Sequence, residues 1–224
     1  MKVLFDECVQ LDAIRGEYGL GLFPREVQEN YRPFPEKNDW KQKEIESHAT
    51  IAALCRNKII APYITDELKA EELRSLKFPP RKYENLFTGI HFEAAQCPLK
   101  RSKWGISMSQ KMDKKDVINY CKCFFLAPSA QRIEKFISGM KENPAKNLSE
   151  FEERCLRRVN VFRAMCHGIN ETHYPDALHL WTAEENGMEA FLTTDKKFRN
   201  VMDRQKVDLK CVITFPSELI NRFK

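Results

Sequence analysis

Residues 174–198 read YPDALHLWTAEENGMEAFLTTDKKF, and this stretch decides the fold. Pro175 near its start and Gly187 further on bracket a helix, following the preference for proline in a first turn and glycine just past a last one. Beyond the glycine, Glu189–Thr193 has the length and apolar content of a short buried strand. A further short helix is expected over Lys196–Met202. Helix, strand and helix in so little chain is the unit from which parallel α/β sheets are assembled.

The alternation extends outward from there. Met1–Phe5 reads as a buried strand ending on Asp6, and residues 7–38 are punctuated by glycine and proline. Asp39 is expected to cap a helix over Trp40–Arg56, with Gln42 as its reciprocal partner. Lys58–Ile64 reads as the next strand, after which Thr65 is placed to cap a helix over Asp66–Leu76 that Pro79-Pro80 ends. Gly89–Ala95 and Asn119–Leu126 are strand candidates. Ser129 is placed to cap a helix with Ile133, Phe136, Ile137 and Met140 on one face. Ser149 and Glu152 make a capping box opening a helix from Glu150 to His167, with Phe151, Cys155, Val159, Phe162 and Cys166 at helical spacing and Gly168 to end it. Cys211–Phe215 reads as a last strand. The pattern predicts an α/β fold, three layers α/β/α around a central, mainly parallel sheet.

Composition narrows the class. With 42% hydrophobic content in 224 residues there is enough for one well-buried core, so a single domain over 1–224 is expected. No apolar run approaches the ~20 residues of a membrane span, and Asp6 interrupts Val3-Leu4-Phe5 too early for a signal peptide. These features point to a cytoplasmic protein without a membrane partner. The eight cysteines include no C-x₂-C pair, which argues against structural zinc and for small buried side chains. A net charge of +5 is compatible with an anionic partner without demanding one.

Parallel α/β sheets bind ligands beyond the carboxyl ends of their strands. Asp6 follows the first strand directly and Asp195 follows Phe191-Leu192-Thr193-Thr194. Either alone reads equally well as a turn or cap residue, but two at one sheet edge suggest function. Asp176 lies in the first turn of the Pro175 helix, where the helix dipole alone would explain it. Glu71 lies on the helix after the second strand, with Glu67 and Glu72 as rivals and an ordinary surface role as the plain alternative. His173 and His179 flank Asp176 and read as packed or surface residues. Trp104 and Trp181 could stack on bases, although Trp181 reads better as core.

The run Tyr174–Ala183, continuing through Gly187 to Phe191-Leu192-Thr193-Thr194-Asp195 and Phe198, resembles the C-terminal half of a PIN-domain nuclease of the toxin-ribonuclease kind. There an Asp-Ala-Leu helix leads through a glycine to a strand ending Thr-x-Asp. Val212–Leu219 is similar to that family's last strand, Lys58–Thr65 with Glu71 to its strand, cap and helical glutamate, and Val3–Asp6 to its first strand and first aspartate. Cys8 stands where the family often has Asn or Ser, and residues 81–148 form a long insertion between the second and third acids.

The resemblance implies a metal-dependent endonuclease in which Asp6, Glu71, Asp176 and Asp195 are both catalytic and metal-binding, holding Mg²⁺ or Mn²⁺. Hard cations take oxygen ligands, and four clustered carboxylates repel one another unless a cation joins them. Thr193 is placed to hydrogen-bond a ligand carboxylate, and Lys196, Lys197 and Arg199 to meet phosphates. RNA is the expected substrate, with an inhibitory protein partner implied and a homodimer left open. A DNA-directed nuclease and an inactive PIN-like scaffold that binds nucleic acid or protein are the alternatives. The insertion, carrying Lys100, Arg101 and Lys103, is too long for a structureless loop and is expected to fold at the sheet edge or beside the active-site mouth.

Overall fold

The computed structural model describes residues 1–13, 16–17, 32–33, 38–66, 86–98, 114–125, 130–141 and 148–223. Its elements, in chain order, are β1 (Lys2–Phe5), α1 (Glu7–Asp12), β2 (Gly16–Glu17), β3 (Arg32–Pro33), α2 (Asp39–Arg56), β4 (Ala61–Ile64) and β5 (Glu93–Ala94). These are followed by α3 (Lys114–Phe125), α4 (Ala130–Lys141), α5 (Glu150–Arg157), α6 (Val159–Cys166) and α7 (Tyr174–Glu185). The chain then closes with β6 (Ala190–Leu192), α8 (Lys196–Gln205), β7 (Val212–Thr214) and α9 (Pro216–Asn221). Five strands form one all-parallel sheet in the order β5-β4-β1-β6-β7, flanked by helices. This is the expected α/β class with its three-layer α/β/α pattern. The short strands β2 and β3 pair antiparallel with each other.

The chain packs as two compact units, Met1–Ala95 with Gly187–Lys196 and Lys210–Lys224, and Gln96–Asn186 with Lys197–Leu209. The first holds the sheet. Val3, Leu4 and Phe5 are all fully buried, as a central parallel strand covered on both faces requires. Val3 and Phe5, which share a face, pack with Val9 of α1, Ile51 and Ala52 of α2, and Leu219 of α9. Phe5, Phe87 and Phe92 meet edge to face with centroids 5.3–5.9 Å apart, the arrangement aromatic quadrupoles favour.

In the second unit Phe162 and Trp181 stack at 5.3 Å. Trp181 is therefore core, with its Nε1 donating to Glu185 at 3.2 Å. The Ser149–Glu152 capping box forms as expected, Ser149 N reaching Glu152 Oε2 at 2.8 Å and Glu152 N reaching Ser149 Oγ at 3.2 Å. Gly168 and Gly187 both take positive φ, 75° and 63°, which suits glycine after a helix.

Several boundaries move, each for a local reason. Asn38, not Asp39, caps α2, its side chain accepting from Trp40 N at 3.0 Å, and Asp39 becomes the first helical residue. The strand expected from Lys58 starts only at Ala61. The last carbonyls of α2 take the amides of Lys58, Ile59 and Ile60, and Lys58 turns through φ 58°. Within Gly89–Ala95 only Glu93–Ala94 pairs with β4. Asn119–Leu126 is not a strand but lies largely in helix α3, with Tyr120 and Cys121 buried and Asn119 exposed. The helix from Glu150 to His167 is two, interrupted at Arg158 (φ −103°, ψ 12°), whose amide is shared between the Arg154 and Cys155 carbonyls. Its apolar stripe survives, with Cys155, Val159, Phe162 and Cys166 buried.

Of the insertion 81–148, β5 completes one edge of the sheet in the first unit, and α3 and α4 belong to the second. Among the described residues no cysteine is in a disulfide, and no helix is long and apolar enough to cross a membrane.

Candidate functional site

The sheet order places one pair of neighbours apart from the rest. From β1 the chain goes to β4 and then β5 on one side, and returns to β6 and β7 on the other. The boundary between β1 and β6 is therefore a topological switch point, where crossovers diverge and leave a crevice at the carboxyl ends of the strands. Asp6 and Asp195 follow those two strands.

The geometry of that edge is set by the ladder. Phe5 pairs with Leu192, and Asp6 N donates to Leu192 O at 3.0 Å as the last rung. The Asp6 side chain, 6% exposed, then meets three donors. Glu7 N reaches Oδ1 at 2.8 Å, while Thr193 Oγ1 and Cys8 Sγ reach Oδ2 at 2.7 and 3.1 Å. Thr193 Oγ1 also accepts from Asp195 N at 3.0 Å. One hydroxyl thus joins the Asp6 side chain to the backbone of Asp195, the hydrogen bond to a carboxylate expected of Thr193. Cys8 supplies the donor that Asn or Ser would offer. Its thiol is pushed well above its usual pKa, first by burial and then by the Asp6 charge, so at neutral pH it keeps the proton it donates. Thr194 N in turn donates to Cys8 Sγ at 3.1 Å.

Asp195 is half-buried and directly precedes α8. Lys196, expected to face phosphate, lies with its Nζ 5.1 Å from the centre of the Trp40 ring, and Trp40 packs edge to face on Phe215. Arg199 pairs with Asp203 at 3.2 Å in the second unit. Asp176, also in the second unit, is half-buried in the first turn of α7, with His173 Nδ1 3.4 Å from its Oδ2. His179 is buried within the same helix.

The structure therefore brings Asp6 and Asp195 to one edge and gives Asp176 a histidine neighbour. Glu71, its rivals Glu67 and Glu72, Trp104 and the Lys100–Lys103 cluster lie outside the described residues, and of the helix expected over Asp66–Leu76 only Asp66 is described, as helical. Three residues passed over in the sequence stand out. His173 lies three positions before Asp176, a spacing that puts the two on one face. Asp12 and Lys41 form an ion pair at the same strand-end edge as Asp6 and Asp195, and no sequence pattern links residues 29 positions apart.

The donor set suits a hard divalent cation. Around Asp6 the groups are carboxylate and hydroxyl oxygens and one thiol, Cys8, that donates to it, while the ammonium of Lys41 at the same edge is paired with Asp12. Comparison with protein-family models, with curated proteins and with solved structures finds no match for this chain. Fold and site define it as an α/β protein with a parallel sheet and an aspartate after each of the two strands at its switch point.

Proposed function

We propose that this chain is a metal-dependent endonuclease acting on RNA, with Asp6, Glu71, Asp176 and Asp195 holding Mg²⁺ or Mn²⁺. The observation that supports it best is the pairing of Asp6 and Asp195 across the switch point, joined through Thr193. Three donors hold the buried Asp6 carboxylate in place, and a cation bound at this edge would take oxygens from the aspartates that follow two neighbouring strands. When bound, the metal supplies an activated water and neutralises charge on the leaving oxygen.

The chain's own residues would orient and insulate that chemistry. Thr193 and Cys8 direct their protons at Asp6 Oδ2, which fixes the carboxylate plane, and the buried sheet end limits water on that side. The resemblance of residues 174–198 to PIN-domain nucleases supports RNA as substrate and a protein inhibitor as partner, and the lack of a membrane-spanning helix among the described residues is consistent with the cytoplasm as the place of action.

The test is cleavage of labelled RNA and single-stranded DNA by the purified chain with Mn²⁺, with Mg²⁺ and with EDTA. RNA cleavage that needs metal is expected. Cleavage of DNA alone would redirect the substrate assignment, and RNA binding with no cleavage under any metal would favour a scaffold.

A further inference from the structure

Behind the acidic edge lies a second polar cluster that the proposed chemistry does not use. Asp12 ends α1 with its side chain 4% exposed, and Lys41 in the first turn of α2 pairs with it. Thr194 closes a triangle, its Oγ1 donating to Asp12 Oδ2 at 2.6 Å and accepting from Lys41 Nζ at 2.8 Å. Three elements of the first unit thus meet on one hydroxyl.

Neither feature is explained by stability alone. An acid in the last turn of a helix opposes the helix dipole, and a largely buried ion pair gains little over well-packed apolar side chains of the same volume. What the triangle delivers is orientation. Beyond β6 the hydroxyls of two successive threonines go to different acids. Thr193 turns to Asp6 and Thr194 to Asp12. The Thr194 amide is held by Cys8, and the Asp195 amide by Thr193. Thr194 is thus tied down through both its side chain and its amide, directly between Thr193 and Asp195 in the chain.

We infer that Asp12 and Lys41 are positioning residues, which act through Thr194 to set how Thr193 and Asp195 are presented to the metal. The inference rests on the metal site proposed above. Residues that support a ligand without touching the ion typically change metal affinity by about 10–100-fold.

Calorimetric titration of Mn²⁺ into the full chain, well below its melting temperature, is the test. Thr194→Val keeps the shape and removes the hydroxyl, and is expected to weaken Mn²⁺ binding by about 10–100-fold. Thr194→Ser keeps the hydroxyl and should restore parental affinity, with kcat on RNA following affinity and KM moving far less. A purely structural role would lower the metal-free melting temperature and leave the affinity of the folded protein unchanged. Should Thr194→Val not fold, Lys41→Gln, which keeps a donor but no charge, is read the same way. Parental Mn²⁺ affinity in Thr194→Val or Lys41→Gln overturns the inference and leaves the metal site standing. A parent chain that takes up no Mn²⁺ overturns the site and the inference together.

Discussion

Glu44 and Asp6 are both buried carboxylates of the first unit, and both meet the start of a helix. Glu44, 1% exposed, gives one oxygen to Ser217 N at 2.8 Å and the other to Ser217 Oγ at 2.7 Å, at the first turn of α9. Helix dipole and charge-assisted hydrogen bonds account for it. Asp6 also takes the amide of a helix start, but its other oxygen shares Thr193 Oγ1 with the backbone of a second aspartate. Under the proposed function, the difference separates a structural carboxylate from a ligand. Glu44 gives both oxygens to one residue of another helix, whereas Asp6 divides its oxygens among Glu7, Cys8 and Thr193, the last of which also holds the backbone of Asp195.

The largest expected effect breaks the comparison at the acidic edge. Asp195→Asn keeps the backbone bond to Thr193 and removes one charge. RNA cleavage should fall by more than the ~100-fold that merely supporting residues reach, while metal-free stability stays within about 0.5 kcal/mol of the parent. Turnover on labelled RNA, with melting curves in EDTA, checks both halves. Full activity would remove Asp195 from the site.

At Glu44 the pattern should invert. Glu44→Gln replaces one accepting oxygen by a donor facing Ser217, and loss of one charge-assisted bond is expected to cost about 1.5–3 kcal/mol. Mn²⁺ affinity should not change. Denaturant melts combined with a Mn²⁺ titration would expose any role for Glu44 at the metal.

The first of these contrasts was legible in the sequence and the second was not. Asp6 and Asp195 directly follow apolar runs, so an alternating chain announces that both stand at strand ends. Glu44 and Ser217 are 173 positions apart, and nothing local to either connects them. Lys58 was misread for a related reason. Isoleucines favour a strand there, but the carbonyls closing α2 have first claim on the amides. The strand expected over Asn119–Leu126 fails because a short apolar run does not tell strand from helix by itself, and these residues lie largely in α3 with Tyr120 and Cys121 buried. The triangle of Asp12, Lys41 and Thr194 is not legible because its members come from α1, from α2 and from the segment after β6, far apart in the chain.

A smaller effect sharpens the picture of α2, one turn beyond Glu44. His48 is fully buried, and its Nδ1 lies 2.8 Å from Glu44 O. Burial, the largest influence, holds its pKa below the usual 6.5 despite the nearby Asp12 charge. The folded protein therefore resists a proton that the unfolded chain accepts. This contribution to stability is complete above pH 6.5 and is lost as pH falls below it, by at most about 1.4 kcal/mol per pH unit. His48→Gln should flatten that part of the profile in melts between pH 7 and 5. An unchanged slope would place the acid sensitivity elsewhere.

The central claim, that Asp6 and Asp195 stand together to bind a divalent cation, is tested most directly by thermal unfolding of the parent and Asp195→Asn with and without Mn²⁺. At about 100 times its dissociation constant the ion should stabilise the parent by roughly 2.7 kcal/mol, and the variant should lose most of that gain. A parent melting temperature indifferent to Mn²⁺ would contradict a metal site at this edge of the sheet.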